Sequence, residues 1–341
     1  MIKGSELRQD LVSGDWILFA PGRGKKPSQF IKKQERAKAP KRGCPFDNPK
    51  VATGGEIIAV YTSNSVLPQA SQHKDWRIQL VPNKYPAVFH DGFAAETSKK
   101  GPYATVFGSG YHDLLITRDH DANFPRLNRN DANLVFRAFR DRYSTFLDDP
   151  DVAYISIFHN WGPKAGASVY HPHYQMIAVP VVPPDVNHSL IGSRRYFRKN
   201  KKCVHCVQLA WEKKERKRII YENSRAIVFC PFVSKSEFEI RIFPKQHLPF
   251  FEDTPAETMN YIVEALQKAL KLMEKALKDP DYNFFIHTAP LNNKNSFYHY
   301  HWHIEIIPKI NIPAGFELGT GIEINVVDPD EAAEFIKRHQ I

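Results

Sequence analysis

HNWGPKAGASVYHPHYQMIAVP, residues 159 to 180, sets two histidines, His171 and His173, one residue apart directly after a loop carrying Gly162, Gly166 and Ser168. On a β-strand, residues i and i+2 point to the same face, so the two imidazoles project together. The small loop residues let backbone N–H groups approach a ligand closely. A neutral imidazole attacks phosphorus, binds a metal or shuttles protons near pH 7. A histidine pair beside a glycine loop is the layout expected for phosphoryl or nucleotidyl transfer through a histidine.

The pattern occurs twice. Tyr170-His171-Pro172-His173-Tyr174-Gln175 leads to Ile177 and Pro180, and Tyr300-His301-Trp302-His303-Ile304-Glu305 leads to Ile307 and Pro308. Upstream, His120 closes an apolar run at Leu114 to Ile116, and His247 closes another from Glu239 to Ile242. His120 and His171 are 51 positions apart, His247 and His301 54. Between the members of each pair, the periodicity predicts a helix and then a strand. The first helix spans about 130–147 and aligns Leu134, Val135, Ala138, Phe139 and Phe146. The second opens with Thr254 as N-cap, Pro255 at the first helical position and Glu257 completing a capping box. Its stripe is Met259, Ile262, Val263, Leu266, Leu270, Met273 and Leu277, at helical spacing. The strands that follow are 153–158 and 283–287. A period near 130 residues is too long for a solenoid. It predicts two similar α+β halves.

The chain has 341 residues, enough for about two domains with separate cores. The polar, basic stretch 190–202 lacks periodicity and marks the boundary, giving units 1–195 and 196–341. Gln9 to Phe19 reads as a hairpin turning at Ser13-Gly14-Asp15, and 91–103 and 288–297 read as loops. No apolar run approaches a membrane span, and the N-terminus lacks a secretory h-region, so a cytoplasmic protein is expected. The net charge is +10. The basic runs at Lys25-Lys26, Arg194 to Lys202 and Lys213 to Arg218 carry few aromatics. They read as solvated faces suited to phosphorylated substrates, not as a nucleic-acid surface.

Four cysteines occur: Cys44, Cys203, Cys206 and Cys230. Cys203-Val204-His205-Cys206 is half of a zinc site or a redox pair. It follows a basic linker and precedes a predicted strand or turn, which favours zinc. Cys230, in an apolar run, reads as a core thiol.

Taken together, APGRGKKP (20–27), CPF (44–46), VPNKYPAVF (81–89), GASVYHPHYQ (166–175), YHWHIEIIP (300–308) and GFELGTG (315–321) resemble the galactose-1-phosphate uridylyltransferase family, a branch of the histidine-triad superfamily. The resemblance covers nearly the whole chain. It implies an α+β fold of two histidine-triad-like repeats, each an antiparallel sheet with a packed helix, and a homodimer. It also implies a ping-pong reaction in which UDP-glucose gives its uridylyl group to a histidine and galactose 1-phosphate then takes it. A phosphorylase acting on ADP-glucose or a dinucleoside polyphosphate is the alternative within the same resemblance. The motif's second histidine is the family's nucleophile, which assigns that role to His173. Gln175 is placed to donate to a phosphoryl oxygen. Ser168, Gly166 and Ala167 hold phosphates. Asn160 matches a phosphate-side asparagine, Arg23 and Lys26 match basic positions near the nucleotide or sugar phosphate, and Asn83 matches a uridine-binding position. The loop before His301 has no glycine and Glu305 replaces Gln175, so the second repeat reads as structural.

The same resemblance implies structural metal sites. In the first half the matching positions are Cys44, Asp47, His120 and His171, with aspartate replacing the second cysteine. In the second half they are Cys203, Cys206, His247 and His301. Zinc is the expected metal, at one or both sites. Iron held through His287, His301 and His303 is the lesser reading, because the CxxC argues for zinc.

Overall fold

The computed structural model describes residues 4–23, 36–48, 53–54, 56–68, 73–90, 95–291 and 294–339. In chain order the strands are β1 (Glu6–Gln9), β2 (Trp16–Phe19), β3 (Ala59–Tyr61), β4 (Val66–Pro68), β5 (Ile78–Pro82), β6 (Thr97–Lys100), β7 (Tyr103–Val106) and β8 (Tyr111–Thr117). Then come β9 (Tyr154–Trp161), β10 (His173–Val179), β11 (Ile219–Glu222), β12 (Ala226–Phe229), β13 (Ile240–Pro244), β14 (Tyr282–His287), β15 (His303–Pro308) and β16 (Ile324–Asn325). The helices are α1 (Arg129–Ser144), α2 (Pro184–Asn200), α3 (Val204–Glu215), α4 (Ala256–Leu277), α5 (Gly315–Thr320) and α6 (Pro329–Lys337). None is long and apolar enough to cross a membrane.

Eleven strands make one antiparallel sheet, ordered β11-β12-β13-β15-β14-β9-β10-β8-β5-β3-β4. Its centre carries the duplication. The run β8–α1–β9–β10 matches β13–α4–β14–β15, and the two units meet edge to edge where Tyr282 pairs with Trp161 and Ile286 with Ile157. The hairpin β1–β2, joined by β16, forms a separate small sheet.

Strand alternation assigns the faces. Tyr174, Met176 and Ala178 of β10 point one way, with Ile155 and Ile157 of β9, Phe284 and Ile286 of β14, and Ile304 and Ile306 of β15. Onto this face pack Val135, Ala138 and Phe139 of α1 and the whole predicted α4 stripe, all buried. Each such aliphatic or aromatic side chain contributes about 1.5–3 kcal/mol on burial. The opposite face is left for His173, Gln175 and their neighbours.

Several expectations are corrected. Pro255, with extended φ and ψ, is itself the N-cap of α4. The Thr254 hydroxyl is spent on Phe250 O in the preceding turn, and Glu257 reaches Arg225, so no capping box forms. The stretch 190–202 is mostly helix: α2 runs to Asn200 and stops at Lys201 in a left-handed cap. The CxxC opens helix α3, with Cys203 as N-cap, and precedes neither strand nor turn. Residues 97–106 form the hairpin β6–β7, which starts within the predicted loop 91–103 and runs past its end. Arg218 is no solvated charge: it is buried against Glu212 at 3.0 Å and Asp330 at 2.7 Å. Cys230 is buried, as expected.

Candidate active site

His173 begins β10, facing Ile116 of β8 across the ladder, and is only 6% exposed. Its Nδ1 lies 3.0 Å from the carbonyl oxygen of His171. A carbonyl only accepts, so Nδ1 carries the proton and Nε2 keeps a lone pair. Phe46, from the CPF motif, packs against the ring at 4.7 Å between centroids. Burial lowers the His173 pKa, partly offset by the bond to His171 O, which keeps the ring neutral near pH 7.

The glycine loop between β9 and β10 is held from the second repeat. Gly162 and Gly166 both have φ +86°, and a Cβ on Gly162 would sit 2.0 Å from Asp281 Oδ1. Asp281 accepts from Lys164 N at 2.7 Å and from Arg36 at 2.9 Å. Asn283 of β14 donates to Asn160 Oδ1 at 2.7 Å and to Ala165 O at 2.8 Å. Ala167 and Ser168, with Arg36, Trp161 and Tyr170, line a cavity of about 350 Å³. Arg36 lies 4.4 Å over the Trp161 ring. Neither Arg36, Asp281 nor Asn283 stands out in the sequence, because their partners lie more than 100 positions away.

Gln175 shares the His173 face, and its Oε1 lies 2.9 Å from His112 Nε2 on β8. Asn83 sits beyond His112, with Nδ2 at 3.1 Å from the same nitrogen and Oδ1 accepting from Tyr85 N. Asn83 thus lies against His112 and caps its own turn. Arg23 ends a surface 3-10 turn, Pro21–Arg23. Lys26 lies outside the described residues.

Both predicted metal sets assemble. The ligand atoms of Cys203, Cys206, His247 and His301 lie within 4.8 Å of one another, as do those of Cys44, Asp47, His120 and His171. The imidazoles are prepared for a cation. His247, His120 and His171 donate Nε2–H to the carbonyls of Tyr298, Ala39 and Thr117 at 2.8, 2.9 and 2.6 Å. Each Nδ1 then turns its lone pair inward, His247 toward Cys206 Sγ at 3.4 Å and His171 toward Cys44 Sγ at 3.7 Å. The Cys206 thiol bonding to Cys203 lowers the Cys203 pKa, the ionisation a metal ligand needs. These donor sets fit zinc, all-N/S in the second half and mixed with one carboxylate in the first. His171 has two tasks: its ring joins the Cys44 set while its carbonyl fixes the His173 tautomer.

The second repeat keeps the geometry without the freedom. His303 Nδ1 lies 3.2 Å from His301 O, mirroring His173, but its Nε2 faces Glu305 Oε1 at 3.3 Å. Burial works to raise Glu305, yet Arg241 and His287 hold it well below the carboxylate range. His301 belongs to the cysteine set, whereas His287 and His303 face Glu305. The three histidines thus do not form one ligand group.

Residues 78–339 match the family described as a domain of unknown function, DUF4921. The chain is 32% identical to the ADP-glucose phosphorylase of Arabidopsis thaliana, over 97% of this chain and 92% of that protein. It is 25% identical to the galactose-1-phosphate uridylyltransferase of Thermotoga maritima, over 98% and 99% respectively. Among solved structures, the Arabidopsis thaliana ADP-glucose phosphorylase with bound ADP-glucose superposes with a TM-score of 0.81 at 28% identity, covering 99% of this chain and 100% of that one. A uridylyltransferase structure gives 0.73 at 26% identity, covering 98% of each chain.

Proposed function

The chain belongs to the galactose-1-phosphate uridylyltransferase family, and from that membership we propose that it moves a nucleoside monophosphate from a sugar nucleotide to a phosphate-bearing acceptor through a covalent bond to His173. The observation that carries this reading is the His173 ring itself. Nδ1 is tied to His171 O, which leaves the Nε2 lone pair free at the start of the strand that follows the glycine loop. Nε2 bonds to the α-phosphorus as the bond to the β-phosphate bridging oxygen breaks, and the sugar 1-phosphate leaves. The cationic phosphoramidate is eased by the Nδ1–H bond to His171 O. An acceptor phosphate oxygen then takes the nucleotidyl group and frees Nε2. The loop amides around Gly166 and Ala167, with Ser168, Asn160 and Gln175, hold the phosphoryl oxygens as charge develops.

For the acceptor, the 32% identity to a plant ADP-glucose phosphorylase favours inorganic phosphate with ADP-glucose as donor. The second reading, UDP-glucose with galactose 1-phosphate, is supported by the full-length likeness to the Thermotoga maritima protein. Product analysis separates them. ADP-glucose with phosphate should give ADP and glucose 1-phosphate at least tenfold faster than UDP-glucose with galactose 1-phosphate gives UDP-galactose. The reverse ranking would overturn the acceptor assignment.

The lowered His173 pKa fixes a pH dependence. A depressed value keeps the nucleophilic neutral ring populated further into acid. Single-turnover nucleotidylation should be flat above about pH 6.5 and fall on an acid limb centred below that ordinary histidine value. An acid limb centred above 6.5 would contradict the buried, neutral ring.

We also assign zinc to the two four-residue sets, as a structural ion that cross-links loops. The reaction at phosphorus is left to side chains and amides.

A further inference from the structure

We propose that His112 is a positioning residue that fixes the Gln175 amide with its NH₂ toward the transferred phosphoryl group; this rests on the reading above that Gln175 contacts that group. His112 is 9% exposed and stands on β8 diagonally across from Gln175: it pairs with Ile177, and Gln175 with Leu114. Its Nδ1 accepts from the backbone N–H of Ala87 at 3.0 Å. That N–H can only donate, so the hydrogen of the neutral ring sits on Nε2. Two amide atoms approach Nε2: Gln175 Oε1 at 2.9 Å and Asn83 Nδ2 at 3.1 Å. The Asn83 amide is fixed independently, because its Oδ1 accepts from Tyr85 N at 3.0 Å. Its Nδ2 is therefore a second donor and forms no bond with Nε2–H. The hydrogen goes to Gln175 Oε1.

The consequence is a one-way relay. The Ala87 N–H sets the His112 tautomer, His112 occupies the Gln175 oxygen, and the two Gln175 N–H groups are what remains for a ligand. Without the relay the amide can turn over. It would then set oxygen lone pairs against a phosphoryl oxygen, converting attraction into repulsion.

The test is the single-turnover rate of His173 labelling by ADP-glucose and by UDP-glucose, each carrying ³²P at the α-phosphorus. His112→Leu should slow labelling about 10- to 30-fold at saturating donor, with KM changed less than about threefold. His112→Gln keeps an N–H near the Nε2 position and should retain at least about a third of the rate. In a Gln175→Ala background, His112→Leu should add less than about twofold, because the two act as one unit. Gln175→Ala slow with His112→Leu at the wild-type rate would overturn the proposal and leave the phosphoryl contact standing. So would multiplication of the two effects in the double variant. Gln175→Ala at the wild-type rate would instead overturn the contact, and the proposal with it. Should the leucine variant not fold, ¹⁵N spectra of histidine-labelled wild type still decide: the Nε2–H tautomer at His112 is expected, and Nδ1–H overturns the proposal.

Discussion

His173→Ala should abolish nucleotidyl transfer, lowering kcat on the order of 10⁴-fold or more while leaving the fold intact. The argument is geometric. The neighbouring and equivalent imidazoles offer no substitute: His171 Nε2 is committed to Thr117 O, and His303 Nε2 faces Glu305. The loss cannot be shared by a neighbour, so both half-reactions should stop together. Two measurements check this. A ³²P label from the α-phosphate should be retained on wild-type protein after alkaline denaturation, lost in acid, and absent from the variant. The variant's unfolding midpoint should stay within a few degrees of wild type, since it removes one small ring packed on Phe46. Residual labelling in His173→Ala above a few per cent of wild type would sink the covalent mechanism.

The second large effect concerns the cysteine set of the second repeat. Cys203→Ser combined with Cys206→Ser should lower the metal content by one equivalent and destabilise the chain. An ion present at about 1,000 times its Kd adds about 4 kcal/mol to the folded state. At about 2–4 °C per kcal/mol for a large chain, the melting midpoint should drop by on the order of 10 °C. The site has reason to matter this much. It ties the start of α3 to His247 after β13 and to His301 before β15. Asp47→Ala should cost less stability, because that set already carries a carboxylate in place of a thiolate. Its effect should fall more on rate, since His171 links it to His173, the proposed nucleophile. Elemental analysis unchanged by the double serine variant would refute the assignment.

The duplication and the helix stripes were legible in the sequence because each rests on local spacing, whereas the two ligand sets, whose members lie up to 127 positions apart, came from the resemblance to a family. An amphipathic helix stripe and an alternating strand are patterns of period 3.6 and two that tertiary context left intact, but the strand takes in only the second histidine of the pair: β10 begins at His173, and His171 lies in the bend before it. What was not legible depends on partners distant in the chain. Asp281 and Asn283 look like an ordinary turn and strand start until β14 is laid against β9, where they brace the glycine loop. His112 looks like a polar residue before an apolar run until β5 and β10 flank it. The failed cap at Thr254 shows the same limit: an upstream carbonyl claimed the hydroxyl first. Arg218 belongs to a basic run in sequence but finds Asp330 more than a hundred positions later.

The seam between β9 and β14 has one more implication. The two repeats share a backbone ladder there, so separating them would bare the β14-facing edge of β9 over the five paired residues 157–161, which include the buried Ile157 and Trp161. Such a flank is a template for intermolecular strand pairing. Either half expressed alone should accumulate as insoluble protein, and the two co-expressed should rescue each other by closing the same ladder. Duplication here has therefore produced a mutual dependence, in which the repeat that lost a free imidazole persists as the other's missing neighbour.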